Sequence, residues 1–222
     1  MADFKKTTYC DQIVDFIKSK LLNGELSPGD PVREVTIASE LSISRAPVRE
    51  AMQVLLREGL IQAHPQKVKR ITALTSKQIK NSYFTGGVLE AAAVAVSIKR
   101  YTKTDIDRLN MILGKMKKVA DNNGQISDLV PLDNDFHDIL FSKIDNDLIV
   151  ELCRRSCQGI SKFLLYKHWI KLFSTEQVYQ RHKKIIEALS TKDPHIIESI
   201  LREHYFESGE KMSKYGVDIM EK

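Results

Sequence analysis

The sequence is short of what holds a small secreted domain or a membrane protein together. Its three cysteines are odd in number and form no regular framework, which excludes a disulfide scaffold. No apolar run approaches the ~20 residues that span a bilayer. The opening MADFKKTTYC has no apolar core of the secretory kind. A cytoplasmic protein with no membrane partner is therefore expected. Glycine and proline are scarce, at 10 and six copies, and aliphatic side chains outnumber aromatic ones, which favours an all-α chain. Neither sign of charge dominates. The net +5 divides almost evenly, with 11 basic and nine acidic residues up to position 75. Global charge thus says little about nucleic acid, and the placement of a few arginines has to carry that question.

Residues 24–60 hold the most informative pattern. A short apolar helix (Val35, Ile37, Ala38, Leu41) leads through a polar turn, Ser42 to Ser44, into a second amphipathic helix that opens with Arg45 and Arg49. This is the layout of a helix-turn-helix, whose second helix enters the DNA major groove by its N-terminal end. Upstream, residues 7–22 read as an amphipathic helix closed by Asn23-Gly24. Downstream, 60–63 and 67–72 alternate around His64-Pro65-Gln66 and read as a two-stranded wing. After residue 75 no strand pattern recurs. Six helical segments are expected, at roughly 76–101, 103–121, 126–144, 147–171, 175–190 and 194–215, with only the residues near Gly216 fraying. Short gaps between them imply an antiparallel bundle. The expected fold is mainly α: an N-terminal winged helix-turn-helix domain (1–75) followed by an all-α helical-bundle domain (76–222).

Ser44 is placed as N-cap of the reading helix, and Pro47 falls in its first turn, where a missing N–H costs little. Val48, Ala51, Met52, Leu55 and Leu56 form its core stripe. Arg45, Arg49 and Gln53 form a row beside it, suited to guanine edges or phosphates. Arg33 precedes the first helix of the motif and is within reach of the DNA backbone. His64, Gln66 and Lys67 stand at the wing tip. The partner implied is double-stranded DNA, read as a pseudo-palindrome by a homodimer.

The run Gly24-Glu25-Leu26, Pro28-Gly29, Glu34, Ala38, Leu41, Ser44-Arg45, Pro47-Val48-Arg49-Glu50-Ala51, Leu55 and Glu58-Gly59-Leu60 resembles the N-terminal domain of GntR-family bacterial transcription regulators. The resemblance covers most of residues 8–72. It implies Arg33, Arg45, Arg49 and the wing tip as DNA contacts. The wing departs from the family's glycine-rich tip.

Three histidines lie on apolar helix faces. His137 follows Asp133 by four residues, so both share a face with Leu129, Phe136 and Leu140. His182 sits amid Val178, Ile185 and Leu189. His204 sits amid Ile197, Ile200 and Leu201. A single histidine in such a place is usually a hydrogen-bonded core residue. Three of them with one aspartate, all aimed at one interior, satisfy one another best around a divalent cation. The N₃O set suits zinc, nickel, cobalt or manganese. His64, His168 and His195 carry no such pattern. Cys153 and Cys157, one turn apart, read as buried inert thiols in preference to ligands or redox sensors.

Asp133-Asn134-Asp135-Phe136-His137, Arg181-His182 through Leu189, and Glu203-His204 resemble the metal-binding pattern of the FCD effector domain, which defines the FadR-type branch of the GntR family. The resemblance spans about residues 76–215. It implies Asp133, His137, His182 and His204 as ligands, a solvated Asp135, and a small carboxylate effector bound at the metal. Members often carry an arginine three residues before the Leu-Glu of the first bundle helix. Glycine stands there in this sequence (Gly86-Gly87-Val88-Leu89-Glu90). The two glycines either make room for a larger effector or permit close helix packing, the second being favoured. Tyr83, Lys162 and Tyr166 are candidate pocket residues.

A transcription regulator, a repressor by preference, under the control of such an effector is the reading that results; no catalytic residue is assigned. The alternatives are a regulator for which the cation itself is the signal, and a metal-dependent hydrolase with an accessory DNA-binding domain. No glutamate is recognised in the sequence as a general base beside the ligands.

Overall fold

Thr8 starts the first helix: its hydroxyl accepts from the Asp11 backbone N–H, and the Asp11 carboxylate accepts from the Thr8 backbone N–H, the reciprocal arrangement that satisfies two orphan donors. This computed structural model describes residues 8–64 and 67–220, apart from the side chains of Cys157, Gln158, Ser161, Lys162 and Met220. The expectations placed on Gln66, on the Cys157 thiol and on Lys162 lie outside the described parts. The chain divides into two units. One holds residues up to Leu74 together with Gly159–Tyr166, and the other holds Thr75–Gln158 and the residues from Lys167 on.

In the first unit, helices α1 (Tyr9–Asn23), α2 (Glu34–Glu40) and α3 (Arg45–Arg57) precede strands β1 (Ile61–Gln62) and β2 (Arg70–Ile71). The strands pair antiparallel with Ile61 opposite Ile71 and Gln62 opposite Arg70. A further bridge joins Pro31 to Arg70. Ile17, Val48, Met52, Leu55 and Ile71 are fully buried, so the periodic apolar positions of α1 and α3 close on the base of the wing. Val35 is 60% exposed and does not join the apolar face expected of it. In this seven-residue helix only Ile37 and Ala38 are buried. Ser42 takes a left-handed conformation (φ 54), which turns the chain tightly enough for Ile43 N–H to reach Ala38 C=O at 3.0 Å.

The second unit contains α4 (Ser76–Val96), α5 (Lys103–Asp121), α6 (Ile126–Phe141), α7 (Asp147–Cys153), α9 (Thr175–Ser190), α10 (Pro194–Met212) and the short α11 (Val217–Met220), together with α8 (Tyr166–Trp169) from its second residue on. Leu109, Met116, Leu129, Phe136, Leu140, Ile185, Leu189 and Leu201 are fully buried in its core. Helices α4 and α10 run antiparallel at close range. A Cβ on Gly87 would stand 2.6 Å from Tyr205 Cβ, and one on Gly209 would stand 2.7 Å from Tyr83 Cβ. The expected packing role of the α4 glycines is thus seen at Gly87. Thr102 and Asp105 form the capping box of α5, and Lys143 reaches the Asp105 carboxylate at 3.0 Å. Among the described residues no helix is long and apolar enough to cross a membrane.

Three helical expectations change. The helix from Ser76 stops at Val96 and continues as a 3₁₀ turn, Ile98–Arg100; the carbonyls of Ile98 and of Tyr101, which follows the turn, accept hydrogen bonds from the Lys192 ammonium. The segment 147–171 is no single α-helix. After Cys153 it widens into π turns over Arg154–Gln158 and Ile160–Leu164. Ser156 bonds back to the Leu152 carbonyl at 2.6 Å, which loosens a helix, and Gly159 follows in its interior. The residues after Gly216 do not fray at once. They form α11, where Asp218 accepts from the Ser76 backbone N–H at 2.6 Å.

Candidate DNA-reading face and metal centre

In the first unit, α3 begins at Arg45 because Ser44 adopts the extended geometry of an N-cap, although its hydroxyl makes no capping bond. Ser44, Arg45, Arg49 and Gln53 are all exposed beside the buried Val48–Met52–Leu55 stripe. Arg33 is the exposed residue immediately before α2. His64 and Lys67 are exposed at the wing tip, joined by a backbone bond from Lys67 N–H to His64 C=O at 3.1 Å. The outward cations share one acid: Glu34 lies 3.6 Å from Arg45, 3.5 Å from Arg49 and 3.0 Å from Lys69. Lys69 first, and Arg49 after it, hold the Glu34 carboxyl below the usual range against the opposing effect of burial.

In the second unit, α6, α9 and α10 each turn a histidine inward. His137, His182 and His204 bring one ring nitrogen apiece within 4.8 Å of one another. His137 and His182 are buried; His204 is partly exposed, yet its Nδ1 is sealed. The neighbouring groups fix which nitrogens are free. His182 Nδ1 donates to the Val178 carbonyl at 2.8 Å. A carbonyl can only accept, so the lone pair of the neutral ring is on Nε2. That atom stands 3.1 Å from Asp133 Oδ1, an ion-pair distance when the ring carries both protons. His137 Nδ1 lies 2.7 Å from Glu90 Oε1, which leaves Nε2 for the centre. His204 Nδ1 has no hydrogen-bond partner among the described residues. Burial, the Arg181 cation and the other two rings push His204 well below the usual histidine range, so its ring is neutral.

A sealed His204 nitrogen with no hydrogen-bond partner among the described residues, beside two other inward imidazoles, is a donor set that fits a divalent cation. Asp133 touches His182 and is not one of the three groups whose ligand atoms converge. Burial raises its pKa, but the His182 contact and the charge of His137 outweigh that and lower it. Burial also works against a charged His137, yet Glu90 wins and lifts it to about 9. A cation held by His137 would have to displace its proton near neutral pH. Asp135 is exposed, as expected.

Two residues at this centre were not recognised in the sequence. Glu90 is completely buried. It orients His137 with one oxygen and accepts the Tyr205 hydroxyl with the other, so both oxygens are committed and neither serves as a free base. Its signal was a lone charge within the apolar run Gly86–Val96. Arg181 is the other. Its guanidinium lies 3.9 Å over the Phe173 ring and contacts the His204 carbonyl, Ser208 Oγ at 2.9 Å and Glu207 at 3.2 Å. Tyr83 is buried against Gly209, and Tyr166 falls with the first unit. Burial pushes the Cys153 thiol up to about 12, which makes it inert.

Comparison with known proteins agrees with both units. Residues 10–70 match the family described as bacterial regulatory proteins, gntR family, and residues 83–207 match the FCD domain. YdhC of Bacillus subtilis (strain 168), an uncharacterized HTH-type transcriptional regulator, is 26% identical over 92% of this chain and 92% of its own. The HTH-type transcriptional repressor RspR of Escherichia coli (strain K12) is 24% identical over 90% of this chain and 87% of its own. A putative transcriptional regulator GntR from Rhodococcus sp. RHA1 shares the fold with a TM-score of 0.67 at 19% identity, over 93% of this chain and 98% of its own. A helix-turn-helix with outward arginines, a wing and an FCD bundle thus occur together, and the chain belongs to the GntR family of bacterial regulatory proteins, in its FCD-bearing branch, as a DNA-binding transcription regulator.

Proposed function

We propose that this regulator is a repressor that grips a pseudo-palindromic operator as a homodimer and is controlled by a small carboxylate bound at a divalent cation in its helical unit. Arg45 and Arg49 read base edges in the major groove, while Arg33, Ser44, His64 and Lys67 hold phosphates or the minor groove. Asp133, His137, His182 and His204 hold the cation. When bound, a divalent ion supplies a Lewis-acidic docking point for a carboxylate oxygen.

The observation that carries the reading is the sealed His204 Nδ1 beside two other inward imidazoles. Charge completes it. Glu207 at the rim is shared between Arg181 and Lys211 at 3.2 and 3.1 Å. Inside, two carboxylates (Glu90, Asp133) and one guanidinium (Arg181) leave a divalent ion with one positive charge in excess, which favours a monoanionic ligand. For the homodimer, Phe84 and Val96 of α4 and Phe206 of α10 are 65%, 88% and 61% exposed. A second copy is the natural cover, since a two-fold operator calls for two reading heads.

The test titrates small carboxylates against cation-loaded and chelated protein, following thermal midpoint and operator affinity together. One carboxylate should raise the midpoint only in loaded protein and shift operator affinity. Operator affinity that follows cation removal alone would favour the cation as the signal. Metabolites that bind the bundle and leave operator affinity unchanged would refute effector control.

A further inference from the structure

Glu34 stands among the basic side chains that face outward from the reading helix. It is the first residue of α2, and its side chain is only 15% exposed. Oε1 accepts from Lys69 Nζ at 3.0 Å, on the arm of the wing. Oε2 faces Arg49 Nε at 3.5 Å and Arg45 Nη2 at 3.6 Å, two residues one turn apart on α3. The arginine side chains remain 58% and 61% exposed.

An acid on a phosphate-facing surface repels DNA, and half-exposed ion pairs add little to folding. Neither effect accounts for three cations drawn to one carboxylate. The atoms used are informative. The Arg49 contact occupies Nε and leaves both terminal nitrogens, the fork that matches guanine O6 and N7. A long side chain already held in one arrangement loses less freedom when it meets a base.

We propose that Glu34 is a positioning residue for sequence reading: it pre-orders Arg45 and Arg49, with Lys69 of the wing fixing its carboxylate, so that Arg49 presents both terminal nitrogens to a base edge and Arg45 presents the terminal nitrogen that Glu34 leaves free. The proposal rests on the reading of Arg45 and Arg49 as base contacts.

The test uses the full-length protein, a duplex that the wild type enriches from a random pool, and an unselected random duplex. Glu34→Gln keeps the shape and removes the charge. Its affinity for the enriched duplex should fall about tenfold, while its affinity for random duplex stays level or rises, since a negative charge has left the surface. In the Arg45→Ala/Arg49→Ala background, Glu34→Gln should change enriched-duplex affinity by less than about twofold. Lys69→Met should lower the ratio of enriched to random affinity in the same direction; that ratio cancels any plain phosphate contact, and it keeps the proposal testable if Glu34→Gln does not fold. Equal losses on both duplexes, equal gains, or a loss that persists without the two arginines would overturn it. Failure of the wild type to enrich any sequence would remove the underlying DNA-reading assignment; enrichment by the wild type that Glu34→Gln retains in full would remove the role of Glu34 alone.

Discussion

Glu90 Oε1 and His137 Nδ1 meet at 2.7 Å across 47 positions of sequence, and the Tyr205 hydroxyl closes on the other Glu90 oxygen. A carboxylate–histidine pair of this kind orients an imidazole and raises its basicity. It makes α4 and α10, which pack through Gly87 and Tyr205, part of the same centre.

Glu90→Gln should therefore lower cation affinity by about 10–100-fold without changing affinity for random duplex. Competition with a fluorescent chelator measures the first, and a salt-matched DNA titration the second. An unchanged cation affinity would show that the pair only fills the core.

Gly87→Ala places a methyl group 2.6 Å from Tyr205 Cβ. A Cβ cannot swing away, so α4 and α10 must part, at a cost of about 1–3 kcal/mol. Urea unfolding should show the loss, and cation affinity should fall with it because Tyr205 moves. Wild-type stability would mean that the two helices separate freely.

Arg49→Ala should weaken operator binding by about 1–3 kcal/mol if it reads a base pair in the bidentate manner, with the oligomeric state by sedimentation unchanged. Full operator affinity would remove Arg49 from the reading face.

Asp105 gives a prediction in pH. Burial raises its pKa, but the Thr102 cap and Lys143 overcome this and bring it from 3.8 down to about 2. A folded value below the unfolded one adds stability that is complete above about pH 4 and lost as pH falls toward 2. The contribution is about 2 kcal/mol. The stability gap between the wild type and Asp105→Asn should be near that size at pH 6 and should close near pH 2. A gap independent of pH would show packing to be the cause.

The parts legible in the sequence were local or periodic. The helix starts expected near 76 and 103 fall within a residue of where the structure has them. The reading helix shows itself by Ser44, by Arg45 and Arg49, and by the stripe behind them. His137, His182 and His204 were recognisable as inward because each shares a 3.6-residue period with aliphatic neighbours. Such features depend on geometry that every α-helix repeats, so spacing alone sets them.

What lay beyond the sequence depends on how separate elements are rotated against one another. Glu90 reads as an ordinary helical glutamate until α4 turns it toward α6 and α10. Glu34 reads as a first-turn acid until the wing and α3 bring Lys69 and the two arginines to it. The stretch 147–171 has a helical pattern throughout, yet Gly159–Tyr166 packs with α1 and Leu60 and the helix widens at that change of company. Periodicity fixes which face a side chain occupies, but no period within one segment encodes what that face will meet. Only the packed structure, in which buried polar groups must find partners, decided that.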